Sequence, residues 1–523
     1  MLRLSEPMDF WNAPALHWGK EPYLGKQIRL HHPDHLGAVA VLHGLEPAPA
    51  ERCRVLEIGC GDAWNLLPMA EELPGSELTG VDLDAARIER GEAVRATLGL
   101  ENLTLRAADF TRLDSSLGRF DYVVAHGLYS WAGDAVRDVF FERLSELLSE
   151  RGVAFVSANV HPGWRLREPA RELALFHAHA SGAGEAEPLV QRLRTLTRFF
   201  AENMSREGPD LAFAAEQYRA LSGVNDYLFG FDQLGDSRPS YFEPLVRRAE
   251  RAGLSYVTDA ALLSGQYARL PARLRQGIAE LSADRIAREQ YADFCALPTF
   301  RQFVFSKARP AEAASAEALS KLFLVGGFRQ TDASDITKPG PTAFEFGALK
   351  FTVTEPLAKG ALLELGAIFP HALAFEELER RALARLGKDA APASFAAALL
   401  ELALLGPLTV RARPVLAARS AGERPRISEA SRFQLATLER ATTALHTFCP
   451  VPSLFEREAL RACDGRRTRA EILAELVRLV NDGSIPKSEL GPDPGSELES
   501  SVSRRFERTL ASALAHMLLL PER

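Results

Sequence analysis

The sequence predicts an α/β fold: an open, mostly parallel sheet with its ligand site at the strand ends, followed by mainly helical modules. Three observations predict it. Short apolar runs alternate with helical patterns between residues 55 and 158. The first apolar run closes on a two-glycine turn, Gly59-Cys60-Gly61. The ends of the following runs carry polar or aromatic side chains, which a purely structural sheet does not need.

Each element follows in order. Residues 1–50 read as an N-terminal cap, helical over 33–43 and folded over the ligand. Residues 55–58 form the first strand, and a helical pattern runs over 64–72. Gly59 and Gly61 let backbone N–H groups approach a ligand with no Cβ in the way. A dinucleotide fingerprint would place a third glycine at position 64, where Trp64 stands, and no Gly-Lys-Ser/Thr follows. A nucleotide-like ligand without phosphates fits this turn, and S-adenosyl-L-methionine is the common one. The second strand, 77–81, ends at Asp82, placed to accept hydrogen bonds from ribose hydroxyls. The third, 103–106, leads into Ala107-Ala108-Asp109-Phe110. There Asp109 would take the adenine amino group, with Phe110 or Leu83 against the ring. The fourth, 120–125, ends in His126-Gly127-Leu128-Tyr129-Ser130-Trp131, and the fifth, 153–158, ends in Asn159-Val160-His161-Pro162-Gly163-Trp164. Glu57, Cys60, Asn65, His126 and Gly127 complete the predicted cofactor contacts.

The motifs at 55–70, 126–131 and 162–164 resemble bacterial S-adenosylmethionine-dependent methyltransferases that carry a methyltransferase regulatory domain. They are similar to the rickettsial-type protein lysine methyltransferases that act on outer-membrane proteins. Tyr23, His32-Pro33-Asp34, Glu289-Gln290-Tyr291, Asp293-Phe294, Phe300-Arg301-Gln302 and Cys463-Asp464-Gly465-Arg466 extend the likeness along most of the chain. Three positions depart from that pattern: Ala63-Trp64 in the first motif, His161 before Pro-Gly-Trp, and Gly230 after Tyr-Leu-Phe. The resemblance implies a seven-stranded Rossmann-like methyltransferase sheet, whose last two strands fall at 254–258, after a helix over 241–251, and at 300–306.

Residues 165–240 then form a helical insertion within a methyltransferase domain of 51–310, with helical runs at 167–179, 188–201 and 213–221. An insertion at this edge shapes an acceptor pocket or a homodimer contact. Residues 311–412 predict a winged-helix-like middle domain: a hairpin at 344–353, helices at 356–366, 374–386 and 393–405, and a strand at 408–411. A Pro-, Arg- and Ser-rich linker at 412–430 opens the final segment, 413–523, with helices at 454–463, 468–480 and 502–520.

Composition limits the function classes. A chain of 523 residues needs more than one core, and 46% apolar with 25% charged residues is ordinary for a globular protein. A net charge of −7 gives no electrostatic case for nucleic acid. Cys53, Cys60, Cys295, Cys449 and Cys463 lack paired spacing, so neither zinc nor disulfides are expected. Residues 1–12 hold no basic segment with an apolar core, and no run reaches membrane-spanning length, which predicts a cytoplasmic chain.

Methyl transfer needs a positioned nucleophile and a dry site. Tyr129, Trp131, His161 and Trp164, from the fourth and fifth strand ends, are the expected catalytic set, with His126 or His161 as proton acceptor. His31, His32 and His35 read as a solvated turn before a helix, and no metal is expected. Three functions stay open. They are lysine N-methylation of a protein or peptide, N- or O-methylation of a small molecule or natural product, and regulation by a bound but unreacted cofactor.

Overall fold

The computed structural model describes residues 27–113, 117–180, 189–204, 208–223, 237–261, 263–386, 394–490 and 498–522. Tyr23 and Gly230 lie outside these. The N-terminal half contains helix α1 (Pro33–Leu42), then β1 (Arg54–Ile58), α2 (Leu66–Glu72), β2 (Glu77–Asp82), α3 (Ala85–Leu98), β3 (Leu103–Ala107), β4 (Phe120–Ala125), α4 (Asp134–Leu147) and β5 (Leu148–His161). The insertion supplies α5 (Glu168–Ala180), α6 (Leu189–Met204) and α7 (Pro209–Ser222). After it come β6 (Ser240–Tyr241), α8 (Phe242–Arg251), β7 (Ser255–Asp259), α9 (Gln266–Arg269), α10 (Ala272–Leu281), α11 (Arg285–Ala296) and β8 (Phe300–Ser306).

The strands form one sheet in the order β3-β2-β1-β4-β5-β8-β7, with the two-residue β6 paired to the end of β5. Strands β1 to β5 are parallel, and β8 runs antiparallel to both β5 and β7. This is the expected seven-strand path with its late sixth and seventh strands. β1 pairs on both sides, Val55 opposite Leu78 and opposite Tyr122, so its unbroken apolar run is what a central strand requires. β5 begins earlier than its apolar pattern suggests, because Leu148 pairs with Phe120 while the polar Ser149, Glu150 and Arg151 hide the strand's start.

Local signals hold the helices in place. Asp84 caps α3 by accepting the N–H groups of Ala86 and Arg87, and Gly99 at φ +65° ends it. α2 starts at Leu66 rather than at 64, because Ala63 adopts φ +61° and lengthens the glycine turn.

The C-terminal half contributes β9 (Phe323–Val325), β10 (Arg329–Gln330), β11 (Thr342–Phe346), β12 (Leu349–Val353), α12 (Pro356–Ile368), β13 (Leu373–Ala374), α13 (Phe375–Leu386), α14 (Phe395–Leu405) and β14 (Thr409–Arg411). The last stretch holds α15 (Glu429–Thr437), β15 (Arg440–Thr442), β16 (Phe448–Pro450), α16 (Leu454–Ala462), α17 (Arg469–Asn481) and α18 (Leu498–Ala515). The hairpin, the helices and the strand predicted between 344 and 411 are present.

One face of the large sheet packs on α4 and α8. The other shares a continuous core with α1, α2 and the middle segment, including Leu324, Leu357 and Leu399. The 412–430 stretch is packed rather than loose: Val415, Ala417, Ala418 and Ile427 are buried within its otherwise polar composition. A separate core, with Phe455, Ile472, Leu476 and Phe506, unites the last helices.

Candidate functional site

The carboxyl ends of the parallel strands β1 to β4 lie side by side along one edge of the sheet. Gly59, at φ +76°, is exposed, and a Cβ built on it would meet nothing within 4 Å. Gly127, at φ +62°, is likewise exposed over open space. A ligand can therefore lie against backbone at both positions.

Asp82 holds the turn in shape. Its Oδ2 accepts the Gly61 N–H at 2.8 Å and its Oδ1 accepts the Asp84 N–H at 2.9 Å. Each oxygen keeps a second lone pair for a ribose hydroxyl. Leu83 is 79% exposed at the same edge, a free apolar face for a ring. Asp109 caps the short turn after β3, its Oδ1 accepting both the N–H and the hydroxyl of Thr111. Those bonds hold its carboxyl below the usual carboxylate range, while Oδ2 has only a long contact to Arg112, at 3.6 Å. Ala108 is half-buried between Asp82 and Asp109, donating its N–H to the Asp82 carbonyl.

Other predicted contacts point elsewhere. Phe110 is buried against Phe140 in the sheet core, so its ring is not available to cover adenine. The Cys60 side chain is buried beneath Gly80, and only its backbone lies on the turn. Tyr129 is 1% exposed, with its ring against Phe140 and Phe141 and under the Arg137 guanidinium. It packs as core, because the chain turns inward after Gly127. Trp164 is buried, with Arg167 over its ring at 5.7 Å. Trp131 is half-buried, its N–H donated to the Leu128 carbonyl. His161 is half-buried against Tyr241, ring centroids 5.2 Å apart. Burial and the nearby Arg165 lower its pKa, and among the described residues no hydrogen-bond partner reaches its Nδ1.

Behind the glycine turn lies a buried polar chain. Asn65 donates its amide to both carboxylate oxygens of Glu57, each at 3.2 Å, and its Oδ1 accepts the Ile28 N–H and His446 Nε2–H. Burial is the main cause that pushes Glu57 up to about 8, and the Asn65 amide pulls it back down. His126 is set by Ser157, whose hydroxyl lies 3.1 Å from Nδ1 and also accepts the Gly127 N–H. Burial lowers the His126 pKa to about 4.

His446 was beyond reach of local spacing, since 381 positions separate it from Asn65. The same interface takes Trp64, whose ring meets Phe433 at 6.0 Å while Gln27 donates to its carbonyl at 2.7 Å. The bulky residue that broke the dinucleotide pattern is thus an anchor for the C-terminal helices. Ser157 did leave a signal: it is the polar residue inside an apolar strand run.

His31, His32 and His35 are not a solvated turn. All three are buried, because the first turn of α1 is wedged between the sheet and the C-terminal half. His32, Glu72 and His446 bring one ligand atom each within 4.8 Å of one another. The His32 tautomer argues against an ion there. His32 Nδ1 accepts the Asp34 N–H, which leaves the proton on Nε2, facing Glu72 at 3.6 Å. Arg413 on Glu72 and Arg411 on Asp34 add positive charge beside it.

These histidines make docking sensitive to acid. Burial first, then Arg411, pushes His446 from 6.5 down to about 3. The neutral ring is favoured in the fold, so its contribution is complete above pH 6.5 and is lost as pH falls from there toward 3. His446→Gln, which can still donate to Asn65, removes that slope of about 1.4 kcal/mol per pH unit. Its melting temperature relative to the parent is expected to rise steadily below pH 6.5; parallel profiles would refute the assignment.

Three family models match the chain: a methyltransferase domain at 55–152, a predicted methyltransferase regulatory domain at 226–307, and the C-terminal winged helix domain of PKMT at 423–518. An uncharacterised protein of Rickettsia prowazekii, RP028, is 33% identical over 222 residues, 42% of this chain and 88% of that protein. A second from the same organism, RP789, is 24% identical over 522 residues, 94% of this chain and 92% of that protein. The structure of PKMT2 from Rickettsia typhi in complex with AdoHcy superposes with a TM-score of 0.84 at 25% identity, covering 95% of this chain and all of that one.

Proposed function

We propose that this chain, which belongs to the S-adenosylmethionine-dependent methyltransferases of the rickettsial protein lysine methyltransferase type, transfers methyl groups to lysine side chains of a protein or peptide. The cofactor is S-adenosylmethionine, which when bound supplies a methyl group on a sulfonium. The residues present fit it: the open backbone at Gly59 and Gly127 and the paired acceptors of Asp82 suit an adenosyl ligand without phosphates.

In this reading Asp82 takes the ribose, Asp109 the adenine amino group, and Leu83 the ring face. Glu57 and Asn65 brace the turn from behind. A lysine ammonium, with an ordinary pKa of about 10.4, must lose its proton before attack. A site shielded from water favours the neutral amine.

The observation that carries the lysine reading is the likeness to PKMT2 along nearly the whole chain, including the C-terminal winged helix seated on the cofactor turn through Phe433 and His446. Incubation with methyl-tritiated S-adenosylmethionine and cell lysate, followed by acid hydrolysis, tests it. Label is expected in methylated lysine. Label confined to the small-molecule fraction would move the function to a metabolite acceptor.

Among the described residues, no helix is long and apolar enough to cross a membrane. All five cysteines are free.

A further inference from the structure

We propose that the acceptor lysine enters along a slot of aromatic rings formed by His126, Phe300, His161, Tyr241 and Phe294. This rests on the lysine reading above and adds to it the side chains that receive the substrate.

The sheet brings these rings to one edge. β8 runs antiparallel to β5 with Phe300 opposite Asn159, so the start of β8 lies beside the end of β5. There Phe300 meets His126 edge-on, ring centroids 6.0 Å apart, and His126 adjoins the exposed Gly127 of the candidate cofactor site. β6 pairs Tyr241 with His161 in register. The Tyr241 ring then lies 6.0 Å from that of Phe294 at the end of α11. Phe300 is 40% exposed and Phe294 is 53% exposed. Their open faces are free to take the apolar stem of a side chain.

The rim is held in place. A Cβ on Gly163 would strike the carbonyls of Leu297 and Pro298, so the chain between Phe294 and Phe300 is pressed against the corner after β5. The sequence repeats this demand as Pro162-Gly163-Trp164.

The slot suits one class of acceptor. Four methylenes of a lysine can lie along the ring faces while its nitrogen reaches past His126 toward the cofactor site. The Arg165 guanidinium stands 5.9 Å over the Tyr241 ring. A resident cation disfavours a second one, so a lysine in the slot is held as the neutral amine. The amine lone pair forms the new N–C bond as the S–C bonding pair returns to sulfur. The positive charge passes from sulfur, left as a thioether, to the nitrogen, which is a methylammonium until it gives a proton to water.

The test uses the full-length protein and synthetic peptides bearing one lysine each. Phe300→Ala and Tyr241→Ala are compared with Phe300→Tyr, reading kcat and KM for peptide and, by calorimetry, the affinity for S-adenosylhomocysteine. The alanine variants are expected to lose about tenfold or more in kcat/KM, through KM, with cofactor affinity held within about threefold. Phe300→Tyr should restore most of the loss. Peptide kinetics unchanged in both alanine variants would overturn the slot while leaving lysine methylation standing. Absence of methyl-lysine in every peptide with the parent protein would overturn the lysine reading itself.

Discussion

Arg301→Met is expected to destabilise the protein by about 3–5 kcal/mol, the loss that follows from removing one partner of a buried ion cluster. Arg301 is fully buried. It donates to Asp259 at 2.6 and 3.0 Å, to Glu289 at 3.1 Å, to Asp293 at 3.0 Å and to the Tyr256 hydroxyl at 3.1 Å, with its guanidinium 4.0 Å over Phe242. One cation serves three carboxylates, and burial first pushes Asp293 up to about 7. Without the arginine the acids persist only in protonated form. The folded-state pKa values of Asp259 and Asp293, already raised by burial, then rise further, so the penalty grows as pH rises through them and shrinks as pH falls. Urea unfolding near neutral pH and about two units lower should show that trend. A loss below about 1 kcal/mol at neutral pH would mean that water already solvates the cluster.

Asp82→Ala is expected to weaken S-adenosylhomocysteine binding by about 1–3 kcal/mol, roughly 5- to 150-fold in Kd. The change removes the acceptor proposed for ribose and, in the same step, the oxygens that accept the Gly61 and Asp84 N–H groups and shape the turn. Asp82→Asn keeps the size and one carbonyl oxygen, so it should fall between parent and alanine variant. Calorimetry showing parental affinity in both variants would remove Asp82 from the site.

Strands and helices were legible wherever one chemical pattern governs many consecutive residues. The run at 300–306 is a strand in both sequence and structure, and the insertion helices begin and end within a few residues of their periodic segments. The strand-end positions of Gly59, Asp82 and Gly127 were legible, because each needs only its own parallel strand to be placed. Aromatic side chains were not. Tyr129 and Phe110 occupy positions like those of Leu83 and His126, yet turn inward onto Phe140. Nothing in their spacing separates a ring that faces the cofactor site from one that fills the core.

The amino-acid pattern alone determined the parallel sheet, its glycine turn and the phosphate-free ligand, because strand period and backbone freedom are properties of neighbours in the chain. The tertiary structure decided that Asn65 is held by His446, that Trp64 anchors Phe433, and that Arg301 of β8 gathers Asp259 of β7 with Glu289 and Asp293 of α11. Those contacts join residues from 8 to 381 positions apart in the sequence. They exist because a buried polar or bulky group must find its partner wherever folding brings one.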